Sequence, residues 1–161
     1  NQFISHLGLT DVTLLGNSLG GHISLLVSLL YPKNIKGLII TGSSGLYENS
    51  MGESYPKRED KGYMRKKCEE VFYDPKVATD EVVDEVFETV NDRKKLVKIL
   101  TIAKSAIRHN MSKDLPKIKI PTAIIWGEND IVTPPEVGHD FNRLLPNSTL
   151  FWIKECGHAP M

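Results

Sequence analysis

The chain has 161 residues, 40% of them hydrophobic and 25% charged, with 20 basic side chains against 20 acidic ones. That is one domain's worth of ordinary globular composition, and zero net charge argues against nucleic acid or an anionic membrane surface as partner, since both select a basic face. No apolar run approaches the roughly 18–20 residues of a membrane span, no basic-then-apolar leader pattern opens the chain, and Cys68 and Cys156 make no disulfide framework, so a cytoplasmic protein with two reduced thiols is expected.

Phe3, Ile4 and Leu7 stand at helical spacing and Gly8 follows as a stop, which predicts the tail of a first helix. Residues 12–15 form a short apolar run ending at Gly16, read as a buried strand. Residues 19–30 are strongly apolar and Pro32 closes them, which predicts a buried helix. Residues 35–40 read as a second strand, ended by Thr41-Gly42-Ser43-Ser44-Gly45. Strand, helix and strand within some thirty residues make a βαβ unit, with parallel strands and a right-handed crossover.

From residue 47 to residue 117 the chain is charge-rich, helical in pattern and poor in strand signals. Tyr63, Met64, Cys68, Val71 and Phe72 line one predicted face. Thr79 is the expected N-cap of a second helix, with Asp80 and Glu81 at the positive end of its dipole and Val82, Val83, Val86, Phe87 and Val90 as its apolar stripe. Asn91 is the expected cap of a third, carrying Leu96, Val97, Leu100, Ala103 and Ile107. This reads as a helical insertion rather than a separate functional domain. Strand signals return at residues 122–126 and 149–153, with a helix opened by Pro134 and Pro135 between them. The predicted fold is therefore α/β: a mostly parallel sheet with helices on both faces. Its core segments are residues 1–46 and 118–161, and the insertion occupies 47–117.

Gly16-Asn17-Ser18-Leu19-Gly20 fits Gly-x-Ser-x-Gly, set between a predicted strand and a predicted helix. In that context the serine sits on a sharp turn above the strand ends, and the Leu19 N–H faces a developing oxyanion at the helix start. A serine hydroxyl needs a base, and the base needs something to orient it. Asp130 follows the third strand and His158 the fourth. In a parallel sheet such loops share one edge, so Ser18, Asp130 and His158 can converge as nucleophile, acid and base. Glu128 and Asp140 are weaker candidates for the acid, because one lies nearer the strand and the other inside a helix. His22, one turn beyond Ser18, reads as a packed or solvent-facing residue, and His6, His109 and His139 as surface. No histidine pair shows metal-ligand spacing. Asn17 suits the turn and is also a candidate substrate contact.

Gly16-Asn17-Ser18-Leu19-Gly20-Gly21, Trp126-Gly127-Glu128-Asn129-Asp130 and Cys156-Gly157-His158-Ala159-Pro160 together resemble the α/β-hydrolase family, across essentially the whole chain. Asn17, Gly42-Ser43-Ser44-Gly45 and Phe72-Tyr73-Asp74-Pro75 bring it nearest to the meta-cleavage product hydrolases and related carboxylesterases. Val86 stands where those carbon–carbon hydrolases place a substrate-binding arginine, and Ala159 where they often carry tryptophan. The resemblance implies that the insertion is a cap over the active site. It implies acyl transfer to water without a cofactor, on the ester or carbon–carbon bond of a small acyl compound. A receptor that keeps the triad and uses the cap as a ligand-gated surface is the alternative. The expected partner is a small-molecule substrate, with homo-oligomerisation open. Against the family pattern the sequence looks cut at both ends, and the second oxyanion donor is expected before Asn1.

Overall fold

The computed structural model describes residues 2–49 and 57–160, so the part of the predicted insertion at 50–56 lies outside the described residues. The core elements are α1 (Gln2–His6), β1 (Val12–Asn17), α2 (Leu19–Leu30), β2 (Ile35–Thr41), β3 (Thr122–Gly127), α6 (Pro135–Leu144) and β4 (Ser148–Ile153). Between β2 and β3 come α3 (Lys61–Glu69), α4 (Asp80–Asn91) and α5 (Arg93–Arg108). The four strands pair in parallel in the order β1-β2-β3-β4, with Gly16 opposite Ile40, Ile40 opposite Ile124, and Ile124 opposite Leu150. All four therefore end on one edge of the sheet, and the loops that follow them meet there.

Strand pleating assigns alternate residues to opposite faces. On one face Leu38, Ile40, Ile124 and Trp126 are almost wholly buried, and Leu25 of α2 and Val137 and Phe141 of α6 close over them. Trp126 and Phe141 bring their ring centroids to 5.8 Å. Each such side chain contributes about 1.5–3 kcal/mol by leaving water. The opposite face carries Leu15, Ile39, Ala123, Ile125 and Phe151, of which Leu15 is 67% and Phe151 51% exposed. The sequence predicts helices on both faces; α2 and α6 supply the layer on one. Among the described residues β1 pairs with β2 alone, so this apolar strand is an edge strand.

The helical segment builds its own small core, where α3 meets α4 and α4 meets α5. Cys68, Ala78 and Val83 are its centre, flanked by Phe72 and Val86. Both cysteines are free and buried. Thr79 caps α4 as expected, accepting from the Val82 N–H. The cap of α5 is Asp92 rather than Asn91: its carboxylate accepts from the Lys94 and Lys95 N–H groups, while Asn91 sits in the last turn of α4 and donates to the Phe87 and Arg58 carbonyls. An anionic oxygen at a helix N-terminus also complements the dipole, which favours Asp over Asn there. The apolar stripe of α5 is poorly covered, with Val97 57% and Ile107 60% exposed. No described helix is long and apolar enough to cross a membrane.

Candidate active site

The first element of the site is the turn between β1 and α2. Ser18 has φ 51° and ψ −117°, a strained backbone for any residue with a side chain. It is held there by three main-chain hydrogen bonds: its N–H donates to Thr41 O at 2.9 Å, and its carbonyl accepts from the His22 and Ser44 N–H groups at 3.2 and 3.1 Å. The turn needs glycine beside it, because a Cβ on Gly16 would overlap the Gly20 carbonyl. Although Ser18 occupies the N-cap position of α2, its hydroxyl makes no capping bond. That removes the ordinary explanation for a serine at a helix start. Leu19 opens the helix, so its N–H belongs to the first turn, whose donors lack intrahelical partners.

The second element is the loop after β3. Asp130 is 2% exposed. Its Oδ1 accepts from the Val132 and Thr133 N–H groups, both at 2.9 Å. Its Oδ2 accepts from the Thr133 hydroxyl at 2.8 Å and pairs with His158 Nδ1 at 2.9 Å. Four donors on one buried carboxylate offset what an unpaired buried charge would cost. The Asp130 bond assigns the His158 proton to Nδ1 and leaves Nε2 as the basic nitrogen. Trp126 Nε1 donates to Thr133 O at 2.9 Å and ties this loop to the core. Among the described residues the carboxylate hydrogen-bonded to His158 is Asp130, while Asp140 pairs with Arg143 at 2.7 Å.

The third element is the loop after β4. The His158 N–H donates to Val71 O at 2.9 Å, and the His158 carbonyl accepts from Asn17 Nδ2 at 3.0 Å. His158 is thus pinned both to the chain that follows α3 and to the residue preceding Ser18. Gly42 completes the packing: its φ is +44°, and a Cβ there would lie 3.0 Å from His158 Nδ1 and 3.2 Å from Asp130 Oδ2. A left-handed backbone pressed against an imidazole–carboxylate pair leaves room only for glycine.

The sequence-predicted residues thus gather on one edge, with His158 and Asp130 in direct contact and Ser18 joined to His158 through Asn17. Asn17, expected to suit the turn and named as a candidate substrate contact, uses its amide nitrogen within the chain. Its amide donates to Thr41 O, Thr41 Oγ1 and His158 O, at 3.2, 2.9 and 3.0 Å, and these bonds consume its donors. Arg65 of α3 is paired with Asp80 and donates to Ala78 O.

Thr133 escaped the sequence reading. It is fully buried, and its hydroxyl lies 3.2 Å from His158 Nδ1 as well as on Asp130. The available signal was the Asp-x-x-Thr spacing, in which an aspartate accepts the N–H groups two and three residues on. Thr133→Val keeps the volume and removes the hydroxyl. It should lower unfolding stability by about 1–3 kcal/mol in denaturant titration, the range for a buried acceptor that loses a partner.

A family model described as serine aminopeptidase, S33 (Hydrolase_4) matches residues 2–161. The chain is similar to Lipase 1 of Psychrobacter immobilis, at 27% identity over 157 residues, covering 91% of this chain and 49% of that protein. It is similar to a 2-hydroxy-6-oxononadienedioate/2-hydroxy-6-oxononatrienedioate hydrolase of Pseudomonas sp, at 26% identity over 173 residues, covering 94% and 58%. Among solved structures it is similar to MGS-MChE2, an α/β hydrolase enzyme from the metagenome of sediments from the lagoon of Mar Chica, Morocco. The TM-score is 0.75 and the identity 52%, over 99% of this chain and 58% of that one. The chain therefore spans about half to three fifths of the length of these relatives.

Proposed function

This chain belongs to the serine aminopeptidase S33 family of α/β-hydrolases, and we propose that it carries the catalytic triad of a serine hydrolase acting on the ester or carbon–carbon bond of a small acyl compound. The observation that supports this most is the His158 Nδ1–Asp130 Oδ2 bond at 2.9 Å on the edge where Ser18 is held in its strained turn. Ser18 Oγ attacks the substrate carbonyl as His158 Nε2 takes its proton. The Leu19 N–H donates to the oxyanion. His158 then returns the proton to the leaving group, and water repeats the sequence on the acyl-enzyme. Asp130 holds the imidazole in its useful tautomer and stabilises the charged form.

The helical segment 57–117 serves as the cap in this reading. Support comes from its two attachments to the sheet edge, one at Val71 on His158 and one where Met111 N donates to Gly45 O at 2.7 Å. Among similar proteins, one is named a lipase and another a 2-hydroxy-6-oxononadienedioate hydrolase. Those names bracket the two bond types proposed here.

The test is turnover of short-chain p-nitrophenyl esters and of a 2-hydroxy-6-oxodienoate by the protein, with wild-type and Ser18→Ala compared side by side. Release of product by wild-type alone is the expected result. Tight ligand binding without turnover by wild-type would replace the hydrolase reading with that of a small-molecule receptor.

A further inference from the structure

His22 lies in the first turn of α2 and is 2% exposed. Its Nε2 is 3.0 Å from Nδ1 of His109, the C-cap residue of α5, and the rings stack at 5.2 Å between centroids with 20° between planes. The other His22 ring nitrogen, Nδ1, is buried and has no hydrogen-bond partner. This pair joins the helix that begins at Ser18 to the helical segment. Beside it lie two bridges that do not titrate: the Met111 N–H on Gly45 O at 2.7 Å and Asn110 Nδ2 on Leu46 O at 3.1 Å. We infer that the His22–His109 pair is an acid-sensitive clasp, which fixes the end of α5 on the Ser18 helix when both imidazoles are neutral and releases it when the pair gains a proton.

The chemistry follows from the orphan nitrogen. With both rings neutral, His22 Nε2–H donates to His109 Nδ1, and the buried His22 Nδ1 carries only a lone pair. A proton added to His109 Nδ1 sets two N–H groups against each other. The bond survives only if the His22 proton moves to Nδ1, where a buried N–H has no acceptor. A proton added to His22 charges a buried ring. Burial first, and the field of His109 second, hold the His22 pKa below its ordinary 6.5.

The sign is therefore fixed. A base depressed in the folded state contributes stability above its ordinary value and loses it as pH falls below 6.5 toward the folded value. The surrounding groups do not reverse this. Residues 19–30 of α2 carry no other ionisable side chain. The loop after β2 offers Glu48, whose carboxyl is pushed up by burial and pulled back in part by His158 rather than by the pair. Arg108 precedes His109 in the chain, and Asp114, which feels His109, is paired with Lys117 at 2.6 Å.

The inference does not depend on the hydrolase reading, and its readout is not activity. Backbone hydrogen exchange at His109 and Met111, corrected for intrinsic rates, is compared with the core amide of Ile124 at about pH 7.5 and about pH 5.5, on either side of the histidine range. Wild-type protection at the two reporters should fall by roughly fivefold or more on acidification, the fold-change of one net hydrogen bond. His109→Gln keeps an acceptor for His22 Nε2–H without titrating, and should hold most of its protection at both pH values. His109→Ala should be poorly protected at both. Nitrogen-resolved NMR of the imidazoles should find the neutral His22 proton on Nε2. The clasp is overturned by pH-independent wild-type protection, by His109→Ala as protected as wild-type, by His109→Gln falling as steeply as wild-type, or by a neutral His22 protonated at Nδ1.

Discussion

Ser18→Ala should lower hydrolysis by about 10⁴- to 10⁶-fold in kcat, the range over which removal of a nucleophile or its base acts in serine hydrolases. The fold should persist, because everything that holds position 18 in its turn is main chain. The Ser18 N–H bond to Thr41 O and the two bonds to its carbonyl survive the substitution. The side chain makes no capping bond whose loss would unravel α2. Circular dichroism and the unfolding midpoint should therefore match wild-type while turnover of a p-nitrophenyl ester disappears into the background. Ligand binding should persist too, since only one oxygen is lost. Undiminished turnover by a well-folded Ser18→Ala protein would remove Ser18 from the mechanism.

Asp130→Asn should cost about 10⁴-fold in kcat with little change in KM. The direction follows from which carboxylate oxygen does what. Oδ1 accepts two backbone N–H groups, at 2.9 Å each, and these can be satisfied only by an oxygen. An asparagine must therefore present its carbonyl to the Val132 and Thr133 amides and turn its NH₂ toward His158 Nδ1, where Oδ2 now sits. That NH₂ demands an acceptor at Nδ1. The imidazole responds by carrying its proton on Nε2, the nitrogen that must be free to take one from Ser18. The base is then present, in place and in the wrong tautomer. The pH profile separates this from simple unfolding: at high pH, where hydroxide itself can take the Ser18 proton in place of His158, part of the rate should return. A pH-independent loss accompanied by a lowered unfolding midpoint would assign Asp130 to the structure alone.

Local chemistry made much of this protein legible. The apolar run at 12–15, the glycine at 16 and the apolar helix at 19–30 are short-range patterns. They predict strand, turn and helix wherever they occur, and here they form β1, the Ser18 turn and α2. Parallel pairing followed from the βαβ spacing, and with it the sheet edge on which Ser18, Asp130 and His158 stand. Thr79 as a cap was readable from the run of acidic residues after it. Choosing Asp92 over Asn91 was not, because two adjacent residues were both competent, and only the path of the chain decides which one reaches the Lys94 and Lys95 amides.

What depended on tertiary structure was every contact between segments far apart in the chain. The Asn17 amide reaches Thr41 and, 141 positions away, His158, a bridge that no local pattern announces. Val71 carries no sequence signal for reaching His158, since a backbone carbonyl is common to every residue. His22 and His109 are 87 positions apart and each reads alone as unremarkable, one packed and one on the surface. The sequence by itself determined the catalytic candidates and their order, because strand period, turn chemistry and helix ends are set within a few residues. Only the folded chain decided their partners, because a hydrogen bond requires two groups within about 3 Å and no local pattern encodes which distant groups come that close.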